Sequence, residues 1–106
     1  MTELNWLDSN DVNKGVEEYK KAAGAYLLDV RSPGEYMLGH IPESHNIPLT
    51  ELEEIELLTK NKKAPLFVYC LSGSRSRQAA GILKALGYKN VKNIGGISAY
   101  CGTVVK

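Results

Sequence analysis

Cys70 ends an unbroken apolar run, Leu66-Phe67-Val68-Tyr69-Cys70, and is followed at once by the small polar segment Leu71-Ser72-Gly73-Ser74-Arg75-Ser76. A residue at the carboxyl end of a strand, with a loop and a helix start behind it, stands where open α/β sheets bind ligands. Backbone amides in such a turn point inward as an anion nest, and the helix dipole adds to the favourable potential. The same amides favour thiolate over thiol, which lowers the pKa of Cys70 from the free value of about 8.5 and makes it a nucleophile. Gly73 admits close backbone approach or a conformation barred to other residues. Arg75 either offers a bidentate clamp for an oxyanion or points outward to solvent. Ser72, Ser74 and Ser76 serve as turn or capping residues whose hydroxyls help to hold the loop around an anion. The plainer alternative for the thiol is a small buried side chain closing an apolar strand.

Positioning that thiol needs a strand beneath it and a helix behind it, and the pattern supplies both. Leu66 to Cys70 is continuous in its apolar character, as a central strand is. Gln78 to Leu86 carries Ala79, Ile82, Leu83 and Leu86 as a helix that Gly87 caps. Ahead of them, Leu4 to Leu7 reads as a short edge strand and Val12 to Lys21 as a helix, with caps available in Asp8-Ser9-Asn10-Asp11. Ala25 to Val30 reads as a second central strand that reaches a charge at Asp29, with Arg31 just beyond. Ser32-Pro33 opens a short helix ending near Gly39. His45-Asn46-Ile47 is a brief strand, and Leu49, Leu52, Ile55 and Leu58 recur at helical spacing. Val91 to Ile94 is the last strand, Gly95-Gly96 a turn, and Ile97 to Tyr100 a short helical piece. Alternating strands and helices imply a mostly parallel sheet covered on both sides.

A chain of 106 residues supports one hydrophobic core, so residues 1–106 are expected to form a single domain. Apolar residues at 43% and charged residues at 24% are ordinary for a globular fold and exclude disordered or low-complexity classes. The opening residues lack an export pattern, no apolar run is long enough to span a bilayer, and two cysteines are too few for a disulfide scaffold. The reading is a cytoplasmic protein, with a reduced thiol and no membrane partner. All 12 acids lie between Glu3 and Glu56, and nine of the 13 basic residues lie from Lys60 onward. The halves interleave in one fold, so the split defines no basic face and no nucleic-acid partner is expected. It leaves Cys70 in a stretch free of local carboxylates.

Taken together these residues resemble the rhodanese, or sulfurtransferase, family. The resemblance is carried by Leu28-Asp29-Val30-Arg31, Glu35-Tyr36, Gly39-His40-Ile41-Pro42 and Asn46-Ile47-Pro48, then Val68-Tyr69-Cys70 with Gly73, Ser74, Arg75 and Ser76. It continues through Ala79-Ala80, Leu83, Leu86-Gly87-Tyr88, Val91 and Ile94-Gly95-Gly96. It implies a three-layer α/β domain with a mostly parallel central sheet flanked by helices. It also implies that Cys70 accepts sulfane sulfur from a donor such as thiosulfate or a thiol persulfide, held as Cys-S-SH by the amides of residues 71 to 76. A thiol, a protein or cyanide then takes the sulfur, without cofactor or metal. Cys-dependent phosphatases and arsenate reductases are the neighbouring class, and they usually place five residues between cysteine and arginine. Here four separate Cys70 from Arg75, which favours one extra sulfur over a tetrahedral oxyanion, with Arg75 left to recognise a sulfonate.

Around this loop, Asp29 is expected to accept hydrogen bonds that organise neighbouring loops, Arg31 to pair with Glu35, and His40 to hold a turn. His45 reads as a surface or strand-end histidine. Cys101 reads as a packed bystander, with a resolving or redox partnership to Cys70 as its alternative; the spacing of the two cysteines and two histidines makes no zinc site. Arg77, Lys84, Lys89 and Lys92 read as solvated surface. A rhodanese-like module that binds without catalysis, and a thiol redox sensor, stand as the competing functions.

Overall fold

The computed structural model describes residues 11–106, so the strand expected at Leu4 to Leu7 lies outside the described residues. Helix α1 spans Val12–Lys21 and starts where Asp11 accepts a hydrogen bond from the Lys14 amide at 3.2 Å. It buries Val12 and Val16 and sets Gly15 so close to Ile94 that a Cβ there would overlap the Ile94 side chain. Strand β1 follows at Tyr26–Asp29, then helix α2 at Pro33–Leu38. Helix α2 opens with a capping box in which Ser32 takes the Glu35 amide and the Glu35 carboxylate takes the Ser32 amide. Strand β2 is only His45–Asn46.

The leucine and isoleucine series from Leu49 does not make one helix. A 3-10 segment at Leu49–Glu54 kinks at Glu51 before helix α3, Ile55–Leu58, which satisfies the apolar spacing in two pieces. Strand β3 is Leu66–Cys70, helix α4 is Ser74–Ala85, strand β4 is Val91–Gly96, and a 3-10 turn occupies Ile97–Ala99. Two boundaries differ from the sequence reading by more than one residue. Helix α4 begins four residues before Gln78, because Gly73 at φ 113° turns the backbone into the helix without a side-chain cap. Gly95-Gly96 is no turn: both residues belong to β4, where Gly96 lies beside Cys70.

All pairs in the sheet are parallel, in the order β2-β1-β3-β4. Side chains alternate across a strand, and β3 shows what this does. Leu66, Val68 and Cys70 join Leu28, Ala79 and Leu83 in the core under α4, with Leu52 and Ile55 beside them. Phe67 and Tyr69 join Leu27, Val12, Val16 and Ile94 in a second core under α1. This is the expected three-layer arrangement of helices on both faces of a parallel sheet. No helix among the described residues is long and apolar enough to cross a membrane.

Candidate active site

Strand β3 delivers Cys70 to the α4 face of the sheet, and three residues, Leu71 to Gly73, connect it to the helix. That short return brings the first turn of α4 back over the sulfur. The Gly73 amide donates to Cys70 Sγ at 3.0 Å, and the Ser76 hydroxyl lies 3.5 Å from it. Burial pushes the thiol pKa up, but the Ser76 hydroxyl and the amides of Ser76, Gly73 and Ser72 outweigh it, leaving Cys70 below the ordinary thiol value. Cys70 is only 1% exposed, whereas Leu71, 45% exposed, and Ser72 form the outer wall of the loop. The thiol is therefore covered, because alternation along β3 turns it inward and the tight return to α4 closes over it.

The loop is held from behind by residues of β4 and of the 3-10 turn that follows it. The Leu71 carbonyl accepts from the Ser98 amide at 3.1 Å, and a Cβ on Gly96 would collide with the backbone of Leu71 and Ser72. Gly96 has ordinary extended angles, φ −133° and ψ 146°, so it answers a need for space and not for an unusual conformation. The β3–β4 register slips between Val68 and Tyr69, and Asn93 next to the slip does two jobs. Its Oδ1 accepts from the Gly95 amide at 3.0 Å and from the Ser76 hydroxyl at 2.6 Å. Ser76 and Asn93 are both buried, so the hydroxyl beside the sulfur is held by a fixed amide oxygen. Asn93 escaped the sequence reading; its signal was a polar residue alternating with Val91 along the strand, two places ahead of the first of two glycines.

Of the loop residues, Leu71 and Ser72 are exposed, Gly73 is buried as the helix cap, and Ser74, Arg75 and Ser76 form the first turn of α4. Ser74 is exposed and Ser76 buried, so the three serines have unequal surroundings. Arg75 is not the open clamp envisaged from the sequence. Its two terminal nitrogens donate to the Glu35 carboxylate at 2.7 and 3.0 Å, and this pair holds the Glu35 pKa down to about 2. Arg75, Val30, Ser32, Pro48, Leu49 and Thr50 line an open cavity of about 190 Å³ between the carboxyl ends of β1 and β2 and the start of α4.

The expected Arg31–Glu35 pair does not form either. Arg31 turns back onto Asp29, with Nε 3.0 Å and Nη2 2.7 Å from its carboxylate oxygens, and Nη2 also donates to the Gly39 carbonyl at 2.7 Å. Only Val30 separates Asp29 from Arg31, and the Arg31 amide bonds the same carboxylate, so the near partner wins over one on the next helix. Asp29 is fully buried and Arg31 nearly so. Asn46 donates to the carbonyls of both residues at 3.0 Å, which ties β2 to this corner. At His40 the ring stacks on Tyr36 at 3.7 Å, Nδ1 lies 3.0 Å from the Tyr36 carbonyl, and the backbone pairs with Val105. His45 is exposed in β2.

Cys101 is exposed and not packed, since Tyr100 supplies the contact with the α1-side core and the next residue turns outward. Its amide donates to Asn13 of α1 at 2.7 Å, on the opposite side of the sheet from the Cys70 core, and both thiols are free. Among the described residues no group of three or more His, Cys, Asp and Glu gathers into a metal site.

What this arrangement can do is covalent sulfur chemistry: a low-pKa thiol at a helix start, ringed by amide donors that suit a sulfur anion. Known proteins place it among relatives. Thiosulfate sulfurtransferase PspE of Escherichia coli is 40% identical over 76 residues, 71% of this chain and 73% of that one. The adenylyltransferase and sulfurtransferase uba4 of Ogataea parapolymorpha is 36% identical over 91 residues, 85% of this chain but only 23% of its own length. The solved structure of a rhodanese with anions from E. coli aligns with a TM-score of 0.73 at 37% identity, covering 77% of this chain and 98% of that one. The rhodanese-like domain matches residues 9–103, a span that takes in the sheet, the Cys70 loop and both arginine–carboxylate pairs, and the chain belongs to that family.

Proposed function

We propose that the protein is a sulfurtransferase that carries sulfane sulfur on Cys70. The observation that carries this reading is the convergence on one thiol of the Gly73 amide, the Ser76 hydroxyl and the start of α4, with the pKa lowered despite burial. The Cys70 thiolate attacks the outer sulfur of thiosulfate; the S–S bond of the donor breaks and its electron pair leaves on sulfite. A thiol persulfide donates in the same way, with its parent thiolate as leaving group. The amides of Ser72, Gly73 and Ser76 then face the Cys70 persulfide anion. An acceptor, either a small or protein thiolate or cyanide, attacks the terminal sulfur, and the electron pair of the broken bond returns to Cys70. Each displacement breaks one S–S bond as it makes one new bond to the transferred sulfur, so the electrons balance without a cofactor.

Asp29 and Arg31 hold the loops, and His40 holds the turn after α2. Neither takes part in the transfer, because sulfur exchange by a thiolate needs no obligate base. The 1% exposure of Cys70 favours a second reading, a rhodanese-like module that binds without turnover. Steady-state formation of thiocyanate from thiosulfate or an organic persulfide, with cyanide as acceptor, separates the two. The sulfurtransferase reading predicts turnover by the wild type and none by Cys70→Ser with the fold intact. Turnover retained in Cys70→Ser, or no turnover of any donor by the wild type, contradicts it.

A further inference from the structure

Resting on the sulfurtransferase reading, we propose that Glu35 sets the charge of the donor: by holding Arg75, it makes the site prefer monoanionic sulfane-sulfur donors to dianionic ones. Among the described residues, Arg75 is the one cation lining the cavity between the carboxyl ends of β1 and β2 and the start of α4, and the other lining residues, Val30, Ser32, Pro48, Leu49 and Thr50, carry no charge. Both terminal nitrogens of that guanidinium are already given to Glu35. The carboxylate is not a casual partner. The Ser32 amide and hydroxyl also donate to its Oε1, each at 3.1 Å, which anchors it in the cap of α2. The second arginine nearby, Arg31, is committed to buried Asp29 and to the Gly39 carbonyl.

A dianion entering this cavity must approach the Glu35 carboxylate and compete with it for Arg75. The loop amides offset one negative charge, that of the transferred sulfur, and the neutral Glu35–Arg75 pair leaves the second without a counter-charge. A donor that carries one charge, on the sulfur to be transferred, meets the amides and leaves the pair undisturbed. Organic thiosulfonates and ionised organic persulfides are donors of that class.

Thiosulfate and methanethiosulfonate form the probe pair, because they differ by the replacement of one charged oxygen with a methyl group and deliver the same sulfur. Glu35→Gln keeps the side-chain oxygen that caps Ser32 and removes the charge that holds Arg75. The ratio of kcat/KM for thiosulfate over methanethiosulfonate is predicted to rise at least tenfold in Glu35→Gln, and to fall back to the wild-type ratio in Glu35→Gln combined with Arg75→Met. Taking a ratio within each variant cancels leaving-group chemistry and any loss of folded protein. A ratio within twofold of wild type in Glu35→Gln overturns the inference, as does a rise that survives removal of Arg75. If the wild type transfers sulfur from neither probe but does so from an organic persulfide, the inference fails and the sulfurtransferase reading stands; if it transfers sulfur from none of the three, that reading itself fails.

Discussion

Two polar systems stand at the carboxyl end of the sheet, one inside and one at the rim. The inner one, Asp29–Arg31 with Ser76–Asn93, is buried and bonded throughout. The rim pair, Glu35–Arg75, has the same charges and similar distances, but its side chains are 31% and 35% exposed. Burial decides what each can do. An ion pair out of water cannot lose one partner without stranding a charge, so it fixes the geometry of the loops. A pair in contact with water is worth little to stability, so it can be altered without loss of the fold.

Breaking the inner system is expected to do the most damage. Asp29→Ala strands Arg31 in the core and should lower stability by about 3–5 kcal/mol, read from denaturant midpoints; a loss below about 1 kcal/mol would erase the distinction between inside and rim. Ser76→Ala removes a hydroxyl that bonds Asn93 and faces the sulfur, and should cost about 1–3 kcal/mol. It also removes a cause of the lowered thiol pKa. In a Cys101→Ser background, thiolate absorbance should then titrate at higher pH than in the parent, and an unchanged titration would show that the amides act alone. The rim should matter least: Glu35→Gln is expected to cost below about 1 kcal/mol at neutral pH. Because the folded Glu35 titrates at about 2 against an ordinary 4.5, its contribution is complete above pH 4.5 and fades as the pH falls toward 2. The gap between wild type and Glu35→Gln should close over that interval. A gap that persists at pH 2 would assign it to packing.

The same contrast explains what was legible in the sequence. The strand ending at Cys70, the alternation of strands and helices, and the capping box at Ser32 follow from local patterns, and the fold agrees with them. Partner choice does not follow from local patterns. Arg31 had two acids close to it in the sequence, Asp29 and Glu35, whereas Arg75 had none, and only the three-dimensional placement of α2 against α4 gives Glu35 to Arg75. The early start of α4 was hidden because Ser74 to Arg77 is as polar as a loop, while the positive φ of Gly73 that begins the helix leaves no mark beyond the glycine itself. Asn93 was missed because its value lies in a register slip and in a hydroxyl 17 residues away. The burial of Cys70 follows from the tightness of the return to α4, which loop length alone does not reveal.

The central claim is that Cys70 carries the sulfur, and intact mass tests it most directly. Reduced wild type and Cys70→Ser are treated with thiosulfate, or with methanethiosulfonate, and then with cyanide. A gain of about 32 Da on the wild type alone, reversed by cyanide with release of thiocyanate, is the result predicted for a covalent persulfide. The same gain on Cys70→Ser would move the chemistry to Cys101, and no gain from these donors or from an organic persulfide would leave a binding module in place of an enzyme.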